Sequence, residues 1–192
     1  GHVFRHHAGI RTAAEIINSG KMGPIRHIVS ERLAVREPRD DIDVFAALGI
    51  HDFDICVDLL GGVLPSSMAG MVSVSSIEGI EDHAELQLEF PPQMDEEDRI
   101  MASIHLSWRS RIRGKVRSLE VIGRDASLNV DYMDHSGIWF HSHPENAHGD
   151  LYGGFGAAPR ERIEIQNSEP ALTAELRDFV LRSSGKITGP AR

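Results

Sequence analysis

Apolar residues first recur at helical spacing at Ile10, Ala13, Ala14 and Ile17, and Gly20 follows where a left-handed cap would close the run, so a short amphipathic helix is predicted over 10–18. Ile25 to Val35 is β-branched at its centre, at Ile28 and Val29, and stops at the charged stretch 36–41, which reads as a strand leading into a loop. Val44 to Leu60 is too long for a strand and almost wholly apolar. It ends at Gly61-Gly62 with Pro65 shortly beyond, the mark of a largely buried helix. After Pro65 the pattern shortens: 68–77, 84–90, 100–108, 116–122, 127–132 and 137–141 alternate or are β-branched, and turn signals such as Pro91-Pro92, Gly114 and Gly123-Arg124-Asp125 separate them. These predict a large, mostly antiparallel sheet. The stretch 142–159, rich in Gly, His, Asn and Pro, has no period and is expected to be a loop. Ile163 and Ile165 mark one more strand, and Glu169 to Ser183 carries Leu172, Leu176, Phe179 and Val180 on one side of a closing helix. The fold class is therefore α+β, a large open sheet with helices packed on one face.

Composition narrows the partners without changing that picture. A length of 192 residues fits one domain, and 41% hydrophobic with 26% charged residues is ordinary for a globular chain. Lys and Arg number 20 against 29 Asp and Glu, a net charge of -9, which disfavours nucleic acid and anionic membrane as partners. Cys56 is a lone cysteine in an apolar run and reads as a small buried hydrophobe in a reducing compartment. No segment is long and apolar enough to span a membrane, and the first residues lack the apolar stretch of a signal peptide, so a cytoplasmic location is expected.

The most informative pattern lies on the apolar helix, where His51, Asp54 and Asp58 fall three and four residues apart on one stripe. Unpaired buried charge is expensive, so these groups either satisfy one another, as a core histidine bonded to Asp54 would, or line a cavity.

Gly49-Ile50-His51-Asp52-Phe53-Asp54, followed by an apolar run to Leu60-Gly61-Gly62, resembles the G-x-H-x-x-D helix of the family named for glucose-fructose oxidoreductase, inositol dehydrogenase and the rhizopine-catabolism protein MocA. Other pieces fall in the family's order. Gly1-His2-Val3-Phe4-Arg5 is similar to the segment leaving its dinucleotide-binding domain, and Ser19 to Ile25 to its helix-to-strand turn. Ser107-Trp108, Lys115-Val116-Arg117 and Asp131-Tyr132 are similar to its paired strands, and Ser168-Glu169-Pro170 through Phe179 to its late helix. The stretch 142–159 stays unmatched.

The resemblance implies a parent enzyme of two domains, of which this chain carries the second. Residues 1–8 are expected to be a linker remnant of a missing dinucleotide-binding (Rossmann) domain, and 9–192 the substrate-binding and oligomerisation domain. No G-x-G-x-x-G occurs; Gly153-Gly154-Phe155-Gly156 lacks the last glycine and follows no strand, and Glu37-Pro38-Arg39 is not the family's E-K-P. NAD or NADP is expected to serve the parent, with no cofactor-binding residue in this chain alone. The implied reaction is oxidation of a sugar or nucleotide-sugar hydroxyl, closest in look to nucleotide-sugar 3-dehydrogenases. His51 is the catalytic base it implies, because an imidazole exchanges protons near neutrality, and Asp54 is the carboxylate that would fix its tautomer. Arg5 and Arg117 are the expected substrate-binding cations. One position departs: where the inositol dehydrogenase branch carries a carboxylate one turn before the histidine, this chain has Ala47. Either another group, such as Asp41 or Asp43, assists His51, or the missing domain's lysine suffices, or activity is lost.

Three features keep two readings. The alternating run Arg109, Arg111, Arg113, Lys115, Arg117 meets a diphosphate or is a solvated or interface strand. His141 and His143, with His148 and Asp150, have the residue types of a zinc site but not its spacing, and no metal ligand is assigned. The free sheet face, with Trp108, Tyr132 and Trp139 in or near it, is expected to form a homo-oligomer, and the alternative to an enzyme half is a non-catalytic assembly module or a degenerate family member.

Overall fold

The computed structural model describes residues 1–37, 40–74, 79–93, 97–110, 114–143, 160–166 and 168–188. Helix α1 spans Ala8–Asn18, and strand β1 spans Ile25–Leu33. Helix α2, Ile50–Leu59, is preceded by a π-helical turn at Phe45–Gly49. The strands β2 (Ser67–Ser73), β3 (His83–Phe90), β4 (Ile100–Ser107), β5 (Val116–Gly123), β6 (Ala126–Asp131), β7 (Gly137–Ser142) and β8 (Arg160–Glu164) follow, and α3 (Ala171–Ser183) closes the chain. The sheet predicted from alternation is a single one of eight strands in the order β2-β3-β4-β1-β5-β6-β7-β8. Each neighbouring pair is antiparallel except β1 and β4, which run parallel because the chain crosses over through α2 and the β2-β3 hairpin before returning.

β1 therefore lies at the centre, and its alternation decides which face is core. Ile28, Ser30 and Arg32 are buried on one face, while Val29, Glu31 and Leu33 point to the other. The same face collects Ala84, Leu88 and Phe90 from β3, Ile100, Ala102 and Ile104 from β4, Leu119 and Val121 from β5, and Leu128 and Val130 from β6. α1 and α2 cover it. Ile10 and Ala13 anchor α1, and Ile55, Cys56 and Leu59 anchor α2. The opposite face is left open.

The predicted 44–60 helix is thus two pieces, a wide π turn and a regular α-helix. π turns are frequent at functional sites. Asp43 accepts a hydrogen bond from the Ala46 N–H at 2.7 Å, so this carboxylate holds the start of the turn and does not reach His51 by a hydrogen bond. Gly49 closes the turn where the helix meets the sheet. A Cβ there would fall 2.7 Å from Leu106 Cδ1 and 2.8 Å from Phe45 Cδ2, so only glycine lets α2 sit this close.

Segment 1–8, expected as a linker, folds onto the domain: Val3–His6 is a 3-10 turn, His6 and His7 are buried, and the His7 imidazole accepts the Gly9 N–H to cap α1. Trp108 and Tyr132, expected near an assembly surface, are core residues at 1% and 3% exposure, because the positions that carry them lie over the helix face. Trp139 does lie on the open face, with the Arg160 and Arg162 guanidinium groups over its ring. The apolar stripe of α3 remains bare, with Leu172, Leu176, Phe179 and Val180 all exposed. Arg111, Arg113, His148, Asp150 and the loop 144–159 lie outside the described residues.

Candidate functional site

Four segments meet around the ring of Phe4. The 3-10 turn brings Phe4 and Arg5, the end of β1 brings Arg32, the start of α2 brings His51 and Asp52, and β5 brings Arg117. His51 lies edge-on to Phe4 with ring centroids 5.1 Å apart. The Arg32 guanidinium stacks over the same ring at 4.3 Å, the Arg117 guanidinium approaches it at 5.8 Å, and Tyr132 lies against it at 5.7 Å. Cations favour the electron-rich face of an aromatic ring, and the stacking arginine is the fixed wall of the site.

Its deepest polar element is an ion pair. Asp52 and Arg32 are 0% and 2% exposed, and Asp52 Oδ2 accepts from Arg32 Nε at 2.7 Å. Asp52 Oδ1 accepts from Arg32 Nη2 at 3.1 Å and from Ser30 Oγ at 2.8 Å. A two-pronged guanidinium–carboxylate contact plus one hydroxyl satisfies most of what burial removed, which is the condition for keeping two charges out of water. The polar stripe 51, 54, 58 read from the sequence omits this residue. Asp52 belongs instead to the core stripe with Ile55, Cys56 and Leu59, at helical spacings of three, four and seven. A signal for it exists: Ser30 and Arg32 occupy two successive core-facing positions of β1 after Ile28, so the strand offers partners where hydrocarbon is expected.

His51 is half-buried. Burial first, and then the neighbouring positive charge of Arg32, hold its imidazole below the ordinary histidine range, while Asp52 and Asp54 pull the other way. The ring is thereby kept neutral near pH 7, the form that accepts a proton. Its Nδ1 is buried and makes no hydrogen bond among the described residues. The expected Asp54–His51 hydrogen bond is thus not formed. Asp54 Oδ2 accepts instead from Arg5 Nε at 2.8 Å, Arg5 Nη2 donates to Asp54 Oδ1, and His2 Nδ1 stands 3.3 Å away. Arg5 also reaches Asp58 at 3.2 Å. Two of the three stripe residues are therefore joined by a cation from outside the helix, and Arg5 clamps the N-terminal turn onto α2. Beside this clamp, Arg5, Arg11, Glu15, Asn18 and Asp58 line a polar hollow of about 340 Å³. A larger, apolar hollow of about 500 Å³ lies elsewhere, between Ile17, Leu60, Phe90 and Pro91, and contains none of these groups.

Arg117 differs from the other two arginines. It pairs across the strands with Arg32, so it shares the core-facing side of the sheet, and it is half-buried. Burial, then Arg32, lowers its pKa, with Asp52 opposing. No carboxylate forms an ion pair with it among the described residues. A half-buried guanidinium and a neutral imidazole, both against Phe4, are groups that suit an oxygen-rich ligand. Of Asp41 and Asp43, the alternatives for assisting His51, Asp43 is engaged instead with the Ala46 N–H at the start of the π turn. Of the basic ribbon, Arg109 is bound to Asp82 at 2.9 Å and to Ser73. His143 is bound to Ser127 Oγ at 2.8 Å.

Neither strand-to-helix connection, 34–44 or 165–170, contains a glycine, and a phosphate loop needs glycines at that turn for the close backbone approach. Among the described residues no helix is long and apolar enough to cross a membrane.

Solved structures with the same fold include UDP-N-acetylglucosamine 3-dehydrogenase from Acidithiobacillus ferrooxidans, 23% identical with a TM-score of 0.73 over 97% of this chain and 54% of that one. An oxidoreductase domain protein from Kribbella flavida matches at 16% identity and TM-score 0.75, over 100% of this chain and 59% of that one. An inositol dehydrogenase homolog from Azotobacter vinelandii, complexed with NADH and myo-inositol, matches at 17% identity and TM-score 0.67, over 89% and 44%. The chain thus spans about half the length of the solved proteins it resembles. No curated protein matches the sequence. The family model described as the GFO/IDH/MocA C-terminal domain matches residues 10–129, more than half of the chain, and with the sheet order and the Gly49-to-Asp54 helix described above the chain belongs to that family.

Proposed function

We propose that this domain is the substrate-binding half of an NAD(P)-dependent oxidoreductase acting on a hydroxyl of a sugar or nucleotide sugar. The reading is carried by the pair His51 and Arg117, a neutral imidazole and a half-buried guanidinium with no ion-pair partner among the described residues, held against one phenyl ring. His51 accepts the hydroxyl proton, since an uncharged ring with a lowered pKa is in its proton-accepting form at neutral pH. Arg117 holds the substrate, and its planar fork suits a phosphate or ring hydroxyls. Arg5 and Asp54 position the turn that carries Phe4, which fixes the ring between them. In this reading the nicotinamide is held by a dinucleotide-binding domain of the parent enzyme; the inositol dehydrogenase homolog described above is complexed with NADH. The Ala47 position leaves no carboxylate one turn ahead of His51, and Arg32–Asp52 takes over the orientation of that end of α2.

The test joins this domain to a dinucleotide-binding domain of the family and follows nicotinamide reduction with nucleotide sugars, free sugars and inositols. His51→Gln is expected to lower kcat by about 10²- to 10⁴-fold, the usual share of a general base, and Arg117→Met to raise KM more than it lowers kcat. Equal turnover in wild type and His51→Gln removes the histidine from the reaction.

One observation favours a second reading, assembly without catalysis. Leu172, Leu176, Phe179 and Val180 on α3 and Met68, Met71 and Val72 on the edge strand β2 are all exposed, and grouped exposed apolar residues suit a protein–protein contact. Light scattering decides that part: an oligomer that neither binds nor turns over any sugar favours the assembly module.

A further inference from the structure

The open face of the sheet carries a cluster that the reading above does not use. His83, Glu85 and His105 each offer a ligand atom, and these atoms all lie within 4.8 Å of one another. We infer that they form a binding site for a divalent transition metal of the zinc class, with Glu31 positioning His105.

The sheet makes the cluster rather than the sequence. Glu85 on β3 and Glu31 on β1 are both register partners of His105 on the strand between them, so a carboxylate flanks the imidazole on each side. His83 precedes Glu85 by two residues on the same strand and therefore shares its face. Its Nε2 stands 3.8 Å from Glu85 Oε1, and its ring meets that of His105 edge-on at 5.2 Å. Ligands about 2.1 Å from a tetrahedral zinc are about 3.4 Å apart, so small side-chain rotations close this set around an ion. The backbone need not move. β3 and β4 pair along their whole lengths, β1 pairs with β4 from His27 to Leu33, and the residues beneath the cluster, Ala84, Ile104 and Leu106, are buried core.

Chemistry selects the ion. Two neutral imidazoles and a carboxylate suit zinc, cobalt or copper better than calcium or magnesium, which take oxygen ligands. Among the described residues the ion-pair contacts of Glu31 and Glu85 are histidines, not lysine or arginine, so no described cation neutralises either carboxylate. Glu31 Oε1 lies 3.8 Å from His105 Nδ1 and Glu31 Oε2 accepts from Ser118 Oγ at 3.3 Å, the arrangement by which an outer carboxylate orients a ligand histidine. Three protein ligands leave a fourth position open at an exposed face. That position takes water or a ligand from a molecule docked on the sheet.

The site shares no residue with the Phe4 cluster and lies on the opposite face, so its test is independent of the proposed reaction. The protein is stripped with a chelator and titrated with zinc by calorimetry, and with cobalt to read ligand-field absorption. The expected result is one ion per chain with a micromolar or tighter Kd, a tetrahedral cobalt spectrum, and more than about tenfold weaker binding in His83→Ala and in His105→Ala. Glu31→Gln is expected to weaken binding by about tenfold, the usual scale for an outer partner. Circular dichroism of the metal-free variants checks that the fold is kept, since His83 and His105 are only partly buried. No uptake by the wild type overturns the inference. So does unchanged uptake in a His83→Ala/His105→Ala double variant, which would put the metal on other histidines.

Discussion

Removing Asp52 is the sharpest perturbation of the candidate site, because its consequence follows from three distances. Its carboxylate accepts from Arg32 Nε at 2.7 Å, from Arg32 Nη2 at 3.1 Å and from Ser30 Oγ at 2.8 Å, with both charged partners sealed from solvent. Asp52→Leu leaves the Arg32 guanidinium buried without its carboxylate, and Arg32→Met does the same to Asp52. Either change is expected to cost about 3–5 kcal/mol. The double variant replaces the pair by hydrocarbon and leaves the Ser30 hydroxyl only its long contact to the Ser118 carbonyl at 3.5 Å, a loss of about 1–3 kcal/mol. It is therefore expected to be more stable than either single variant. Urea unfolding followed by circular dichroism measures this, provided the slope with denaturant stays constant across the set. A second readout ties the pair to His51. Arg32 lowers the imidazole pKa and Asp52 raises it, so the two single variants should move the His51 titration in opposite directions, upward without Arg32 and downward without Asp52. Additive losses in the double variant, or shifts of the same sign, would show that the pair neither stabilises the core as a unit nor tunes the histidine.

Acid should weaken the fold earlier than carboxylate titration alone would. Burial depresses both His51 and His7, the latter with help from His135, so below the ordinary imidazole pKa of about 6.5 the unfolded chain binds protons that the folded one refuses. Stability is then full above that pH and falls as pH drops toward the folded values, and His7→Gln should flatten the slope; a stability constant from pH 7 down to 5 would refute the depression. Gly49→Ala is expected to cost about 1–3 kcal/mol by overpacking, since the added methyl meets Leu106 and Phe45, and to raise KM by shifting His51 with the helix; Leu106→Ala in the same chain should restore part of the loss.

Much of the architecture was legible because it rests on local pattern. The strands over 83–90, 100–107 and 116–123 alternate cleanly, and the Gly61-Gly62 end of α2 is a composition signal that no tertiary contact overrides. His51 stood out for the same reason, a polar side chain on an apolar helix. Asp54 illustrates the limit. Spacing placed it one turn from His51, but a longer, permanently charged partner, Arg5, arrives from the N-terminal turn and takes both of its oxygens. Phe4 fell within the resembling segment Gly1 to Arg5, but nothing in the pattern marked its ring as the centre of the site.

What the chain determined by itself is which residues face hydrocarbon: period two and period 3.6 fix that, and with it the α+β class and the identity of the buried helix. Which strands become neighbours was decided only in three dimensions. The return of β4 to lie parallel beside β1 is a long-range choice, made by the cover that α2 provides, and it alone brings Glu31 next to His105. The same crossover sets the start of α2 over Ser30 and Arg32, so that an aspartate at a core position meets its guanidinium. Pairing energies between elements distant in sequence leave no periodic trace along the chain, and for that reason both the Phe4 cluster and the histidine–glutamate cluster became visible only once the sheet order was known.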